Sequence, residues 1–374
     1  MITSEPTPLD VNDEVIRLAL PSKGHLYDGV VEMLKTAGYK VRRASDRQYE
    51  ATIAGHPQFH VVFMRPTDIV TQVEEGRCHL GVTGMDLYAE RAFEAEHSTV
   101  VVEDLGYGGC RLVVAVPESW VDVTHVIDLV DLTNDFKSRG QTFRVSTKYP
   151  ALTEAYFRKW GIYYYQIIDS DGALELHPTL GIADIIVDLT SSGVTLKDNR
   201  LREIEAGRVL NSASCLIGHA PTLASLVSGG ETGPLALLLD AMDGVRASEG
   251  MLHLEVVGRP GSTGEDSAVN VVEFLKDQGA QHVARGEVWD QDGEPGWRVT
   301  ALIAARRLTA CQRVLMSLGA TRVVGLPTQF VFDKNLETTF GKLRDRLERR
   351  SLLSQGGLIA SKPYQNPPPI GSAV

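Results

Sequence analysis

The sequence predicts an α/β protein in which a two-lobed region is followed by a compact βαββαβ unit. Three observations carry this. Along residues 15–218, short apolar, β-branched runs alternate with helical stretches and end in polar glycine turns, the mark of strands joined by helical crossovers. One such run, Ile185-Ile186-Val187, leads past Asp188 into the hydroxyl-rich turn Thr190-Ser191-Ser192-Gly193-Val194-Thr195. Beyond Gly233 an amphipathic helix over 235–245 leads into the order strand, helix, two strands, helix, strand, the ferredoxin-like arrangement, with Gly279-Ala280 and Gly319-Ala320 closing its helices alike.

Composition allows a sizeable core. The chain has 374 residues, 43% hydrophobic and 23% charged, enough for two or three domains. A net charge of −11 argues against general nucleic-acid binding, and an anionic ligand would need locally gathered basic groups or a metal. Cys78, Cys110, Cys215 and Cys311 show no C-x-x-C spacing, so neither zinc nor a disulfide framework is indicated. Residues 1–14 are polar and acidic without an apolar leader, and no run approaches the roughly 18 apolar residues of a membrane span. The expectation is a cytoplasmic protein with no membrane and no nucleic-acid partner.

In chain order, residues 15–20 read as a strand, 21–25 as a tight polar turn with Lys23, Gly24 and His25, and 28–37 as a helix. Residues 61–64 form a strand that delivers Arg65 and Asp68 to its end, with Asp68 suited to cap the helix through Val70 and Val73. Residues 80–86 run as a strand into Gly84 and Asp86. Residues 104–117 pass through Gly109, Cys110 and Arg111 into a strand. Residues 141–147, 163–168 and 208–217 are further strands, with a helix over 153–160. The expected division is 1–116 with 205–225 as one lobe, 117–204 as the second, 226–333 as the ferredoxin-like domain, and 334–374 as a helix and flexible tail. Residues 342–350, of mixed charge, read as a solvated helical face, and the Pro-rich tail as flexible.

The stretch 183–196 carries most of the chemistry. A small, hydroxylic turn around Gly193 is able to aim several N–H groups and hydroxyls at one anion. Asp184 and Asp188 bracket the strand run. A carboxylate repels phosphate but accepts hydrogen bonds from neutral hydroxyls, such as those of a ribose beside a 5′-phosphate. The segment therefore reads as a ribose-5-phosphate cradle.

Together LALPSKGHL, RPTDI with EEGRCHLGVTGMDL, DLGYGGCRL, STKYPAL and ADIIVDLTSSGVTLKDNRL resemble, in order, the ATP phosphoribosyltransferases in their long form. The match covers about residues 15–218 and continues more weakly to about 333. The resemblance implies a periplasmic-binding-protein-like pair of lobes and an ACT-like regulatory domain. It implies condensation of ATP with phosphoribosyl pyrophosphate, Mg²⁺ held chiefly by the diphosphate, dimers and hexamers, and allosteric inhibition by L-histidine. Asp188 and residues Thr190 to Thr195 would then bind phosphoribosyl pyrophosphate, with Asp184 supporting the carboxylate or the metal. Lys23, Arg65 and Arg111 would offset phosphate charge, beside Gly24, His25, Asp68, Gly84, Asp86 and Gly109.

Two positions depart from the family. His25 stands where arginine is usual, which weakens one phosphate contact, and His79 stands where aspartate is favoured. The competing readings are a bilobal small-molecule binding protein, which leaves the cradle unexplained, and a catalytically silent regulatory paralogue, which His25 favours.

Overall fold

The computed structural model describes residues 15–45, 47–259, 267–289, 294–333 and 337–355. The expectations for residues 1–14 and for the Pro-rich tail lie outside these. The chain divides into two compact units, Met1–Lys35 with Tyr39–Leu237 and Thr339–Val374, and Leu238–Thr338 with Thr36–Gly38.

The first unit opens with β1 (Ile16–Pro21), five of whose six residues are buried. Gly24, at φ +80°, turns the chain into α1 (His25–Thr36), which buries Val30, Met33 and Leu34. After β2 (Val41–Arg42) and β3 (Glu50–Ile53), β4 (His56–Met64) buries alternate residues, Phe59, Val61 and Phe63. Then come α2 (Pro66–Glu74), β5 (Leu80–Gly84), α3 (Met85–Arg91) and β6 (Ser98–Val102). Pro66 fits the first helical position, so Arg65 is the N-cap of α2 and Asp68 lies inside its first turn. This corrects the expectation that Asp68 caps the helix.

The chain continues through β7 (Cys110–Pro117), α4 (Asp128–Ser138), β8 (Arg144–Thr147), α5 (Pro150–Trp160) and β9 (Gln166–Asp169). It closes with β10 (Ile185–Thr190), α6 (Val194–Asp198), β11 (Leu201–Ser212), β12 (Ser214–His219) and α7 (Ala220–Ser228). Seven strands form one sheet in the order β2-β3-β4-β1-β5-β12-β6 and five form another, β11-β7-β10-β8-β9. The lobe boundaries thus differ from those expected. β7 and β11 both pair in the second sheet, so the chain changes lobe through the glycines before Cys110 and again at Ala213. The single strand expected over 208–217 is therefore two strands in different sheets.

In the second lobe Ile185 and Val187 join Phe143 and Phe157 in the main core, while Ile186 turns to the opposite face with Val113, Leu174 and Leu196. Asp188, two residues on, shares the Ile186 face.

The second unit runs α8 (Pro234–Ser248), β13 (Met251–Gly258), α9 (Ser267–Asp277), β14 (Gln281–Trp289), β15 (Pro295–Ala304), α10 (Ala305–Ser317) and β16 (Ala320–Pro327). Its four strands are ordered β14-β15-β13-β16, every neighbour antiparallel. That is the ferredoxin-like topology the sequence predicts. Leu254, Val256, Val299, Ile303, Val271, Leu275 and Leu315 form its core. α10 starts behind Ala304, an N-cap with no side-chain hydrogen bond to mark the start.

α11 (Thr339–Gln355) belongs to the first unit and buries Phe340, Leu343 and Leu347. Arg346 donates to the Val100 carbonyl and Arg350 to that of Glu96. The helix is docked on β6 and the segment before it, rather than presenting only a solvated face.

Candidate active site

In each lobe the carboxyl ends of parallel strands supply the polar loops, the usual place for ligands in such sheets. β4, β1 and β5 run parallel in the first lobe, as do β10, β8 and β9 in the second. Their ends deliver Ser22–Gly24 and Arg65 from one lobe, and Lys148, Asp171 and the 190–195 loop from the other.

Gly193 sits at φ +80° and is the N-cap of α6. Only glycine takes that conformation without a steric penalty. A Cβ there would find open space, with Arg111 Nη2 at 3.8 Å, so the backbone angle and not crowding requires the glycine. The Thr190 hydroxyl is buried and accepts the Gly193 N–H at 2.9 Å, so Thr190 shapes the loop instead of facing outward. Ser191, Ser192, Val194 and Thr195 are exposed. Arg111 braces the loop from β7: Nη1 donates to the Ser191 carbonyl at 2.9 Å and Nε to Glu203 at 3.0 Å.

Asp188 lies inside β10, opposite Val113, rather than at the strand's end. Burial pushes its carboxyl up to about 6 and the nearby charge of Glu175 adds to this, while the Leu189 N–H (2.7 Å) and Lys148 pull it back. Lys148 follows β8 and pairs with the exposed Asp171 at 2.5 Å. That pairing, with the charge of Arg65 helping, holds Asp171 below the usual carboxylate range. Lys148 is legible as a lysine at a strand end before Tyr149-Pro150, yet no local pattern singles it out.

The first lobe contributes a cavity of about 980 Å³ that gathers Lys23, Gly24, Arg65 and Asp68, all anticipated, with Arg43, Arg47 and Tyr49, which were not. The basic and aromatic run 42–49 was their signal. His25 is the exposed first residue of α1, its ring 6.5 Å from that of Tyr107. A further cavity, about 890 Å³, contains Gly109, Arg111 and Ser191.

Three anticipated residues have other duties. Asp86 is buried and its carboxylate accepts the Tyr149 hydroxyl at 2.6 Å and the Ser212 hydroxyl at 2.7 Å. With both oxygens engaged it is no phosphate or ribose ligand; it ties α3 of the first lobe to the segment before α5 of the second. Burial, then the Asp86 charge, raises the Tyr149 hydroxyl well above its ordinary value, so it stays a donor. Gly84 makes room for this pin, since a Cβ would stand 2.4 Å from Asp86 Oδ1. Glu90, one turn along α3, accepts the Ala151 and Leu152 N–H groups at 2.8 and 3.0 Å, capping α5 from across the seam. Asp184 precedes β10 at the end away from the loop, in a bidentate pair with Arg144 at 2.9 and 3.2 Å. Its oxygens also accept the Arg144 backbone N–H at 2.7 Å. Four steps of extended chain, about 13 Å, separate it from Asp188.

A model of the ATP phosphoribosyltransferase family matches residues 65–228. Proteins named ATP phosphoribosyltransferase from Brucella anthropi and a Chelativorans species are each 43% identical over 205 residues. The match covers 54% of this chain and 89% of each relative. The chain belongs to the ATP phosphoribosyltransferase family. Among solved structures, an ATP phosphoribosyl transferase (HisG:HisZ) complex from Thermotoga maritima is similar at a TM-score of 0.45 and 24% identity, over 61% of this chain and 98% of that one. The aliphatic sulphonate binding protein SsuA from Escherichia coli is similar at 0.38 and 12%, over 93% and 94%.

Within this family of transferases, the departure at His79 has a local account. His79 is buried, and its Nδ1 accepts the Arg17 N–H at 3.0 Å, an acceptor role that an aspartate oxygen fills equally well. As an acceptor, Nδ1 leaves the ring proton on Nε2. Among the described residues no helix is long and apolar enough to cross a membrane, and no group of three or more His, Cys, Asp or Glu is placed to hold a metal.

Proposed function

We propose that the chain transfers the phosphoribosyl group of phosphoribosyl pyrophosphate to N1 of ATP and releases pyrophosphate, the first step of L-histidine biosynthesis. The observation that carries this is the loop around left-handed Gly193, with three exposed hydroxyls one residue beyond a strand that ends past Asp188. The hydroxyls of Ser191, Ser192 and Thr195 and the turn's amides take the 5′-phosphate. Ionised Asp188 accepts the ribose hydroxyls. Attack by N1 at ribose C1 breaks the C1–O bond, and the electron pair leaves with pyrophosphate through an oxocarbenium-like state. No protein nucleophile is needed, so positioning and charge stabilisation supply the rate.

Lys148, released from Asp171 by a stronger anion, and Lys23 and Arg65 across the cleft offset the diphosphate charge. With no three-carboxylate cage among the described residues, the residues suit a Mg²⁺ ion carried by the diphosphate. Asp188 and Glu175 are the carboxylates that would approach it, and the ion would supply charge neutralisation of the leaving group. The ferredoxin-like unit, which contributes no group to this chemistry, would bind L-histidine and build dimers and hexamers, an inhibition between distinct sites. The protein would work in the cytoplasm.

Pyrophosphate release should require ATP and phosphoribosyl pyrophosphate together and should fall with added histidine. A chain from which the ferredoxin-like unit, Leu238–Thr338, is excised while α11 is retained should lose the histidine response. Equal release without ATP would contradict the transfer, and equal histidine inhibition of both chains would contradict the regulatory role.

A further inference from the structure

The cavity of about 890 Å³ in the first unit reaches the cradle through Ser191 and Arg111, and its wall is completed by Arg346 of α11. Arg208 of β11 is a third arginine there, against the carboxylates Glu103 and Asp104. Three arginines against two carboxylates leave the lining one charge positive in a chain of net charge −11. Arg111 has two of its donor atoms committed, to Glu203 and the Ser191 carbonyl. Arg346 has Nη1 on the Val100 carbonyl, which anchors the guanidinium at the cavity wall. A guanidinium carries five N–H donors in a planar fork, so one anchor leaves a face able to meet a phosphate. The helix behind it is fixed by buried Phe340, Leu343 and Leu347 and by Arg350 on the Glu96 carbonyl. Thus α11, which follows the ferredoxin-like unit in sequence, returns a cation to the catalytic unit.

We propose that Arg346 is a phosphate ligand supplied by the C-terminal helix to a cavity that takes a phosphate chain beside the cradle. The inference rests on the transfer reading above. The chain is that of ATP or the diphosphate of phosphoribosyl pyrophosphate, the same chemistry from two sources. A charge-assisted arginine–phosphate contact gives the geometry and strength such a site needs.

The test uses the full-length protein and the variants Arg346→Gln, Arg346→Lys, Arg349→Gln and Arg350→Gln. Arg349 is exposed on the same helix and controls for charge alone, and Arg350 controls for docking. Arg346→Gln should raise the KM for ATP, or the calorimetric Kd for phosphoribosyl pyrophosphate, by about tenfold. Arg346→Lys should recover part of the loss, and Arg349→Gln should stay within about twofold of wild type. A change in the KM for ATP alone places the nucleotide's phosphates in the cavity, and a change in the Kd alone places the diphosphate there. Arg346→Gln matching Arg349→Gln on both measurements would overturn the proposal. An equal loss in Arg350→Gln would assign the effect to docking and overturn it as well. A wild-type chain that binds neither substrate would sink the transfer reading itself, a distinct result.

Discussion

Asp188 was picked from sequence as a carboxylate at a strand end; it sits inside β10, on the face shared with Ile186 and Leu196. That small shift gives it a half-buried setting and a carboxyl raised to about 6. Between the unfolded and folded values the folded chain keeps a proton that the unfolded chain releases. Its contribution to stability is therefore full below the unfolded value and is lost as pH rises through about 6. Activity should run the other way, because only the ionised form accepts ribose hydroxyls without giving up an oxygen. We expect kcat/KM to rise from about pH 5 to about pH 7 with an inflection near 6. In Asp188→Asn that limb should vanish and kcat/KM should drop roughly 10- to 100-fold, the worth of hydrogen bonds to a charged group. An unchanged limb in the variant would assign it to another residue. The burial that sets this pH range follows from neighbours distant in sequence, which no local pattern of residues 183–196 reveals.

α3 shows what a whole element adds. Asp86 and Glu90 stand four residues apart, on one face of the helix, and both reach into the second lobe. Glu90→Gln should leave one α5 amide without an acceptor and the other with a neutral one, at a cost of about 1 kcal/mol. The measurement is the urea midpoint together with hydrogen exchange of the Ala151 and Leu152 amides, which should quicken. Unaltered exchange at both would show that the cap contributes nothing to holding α5. The helices and strands themselves were legible, since their periodicity is local: Phe59, Val61 and Phe63 alternate, and Val30, Met33 and Leu34 follow a helical spacing. The roles of Asp86 and Asp184 were not. Each looks like a site carboxylate beside a glycine or strand end. Only the fold reveals the partners, Tyr149 and Arg144, that occupy their oxygens.

At the scale of the molecule, two sheets carry polar loops at the carboxyl ends of their parallel strands, and the proposed transfer draws on both. Cations Lys23 and Arg65 come from one, and Lys148 and the 190–195 loop from the other. The sequence motifs located these strand–loop steps because each is local. Lobe boundaries escaped because β7 and β11 choose their sheet by pairing with each other, across about ninety residues of chain. The docking of α11 escaped for a similar reason: its apolar positions 340, 343 and 347 are diluted by charge, and their seat on the first unit is far away in sequence. In the proposed transfer the loop around Gly193 holds the 5′-phosphate. Calorimetry of phosphoribosyl pyrophosphate against the wild-type protein and Gly193→Val addresses it most directly. The positive φ that shapes the loop is denied to valine, so wild type should bind and the folded variant should not. Equal affinity in the two proteins would contradict the cradle.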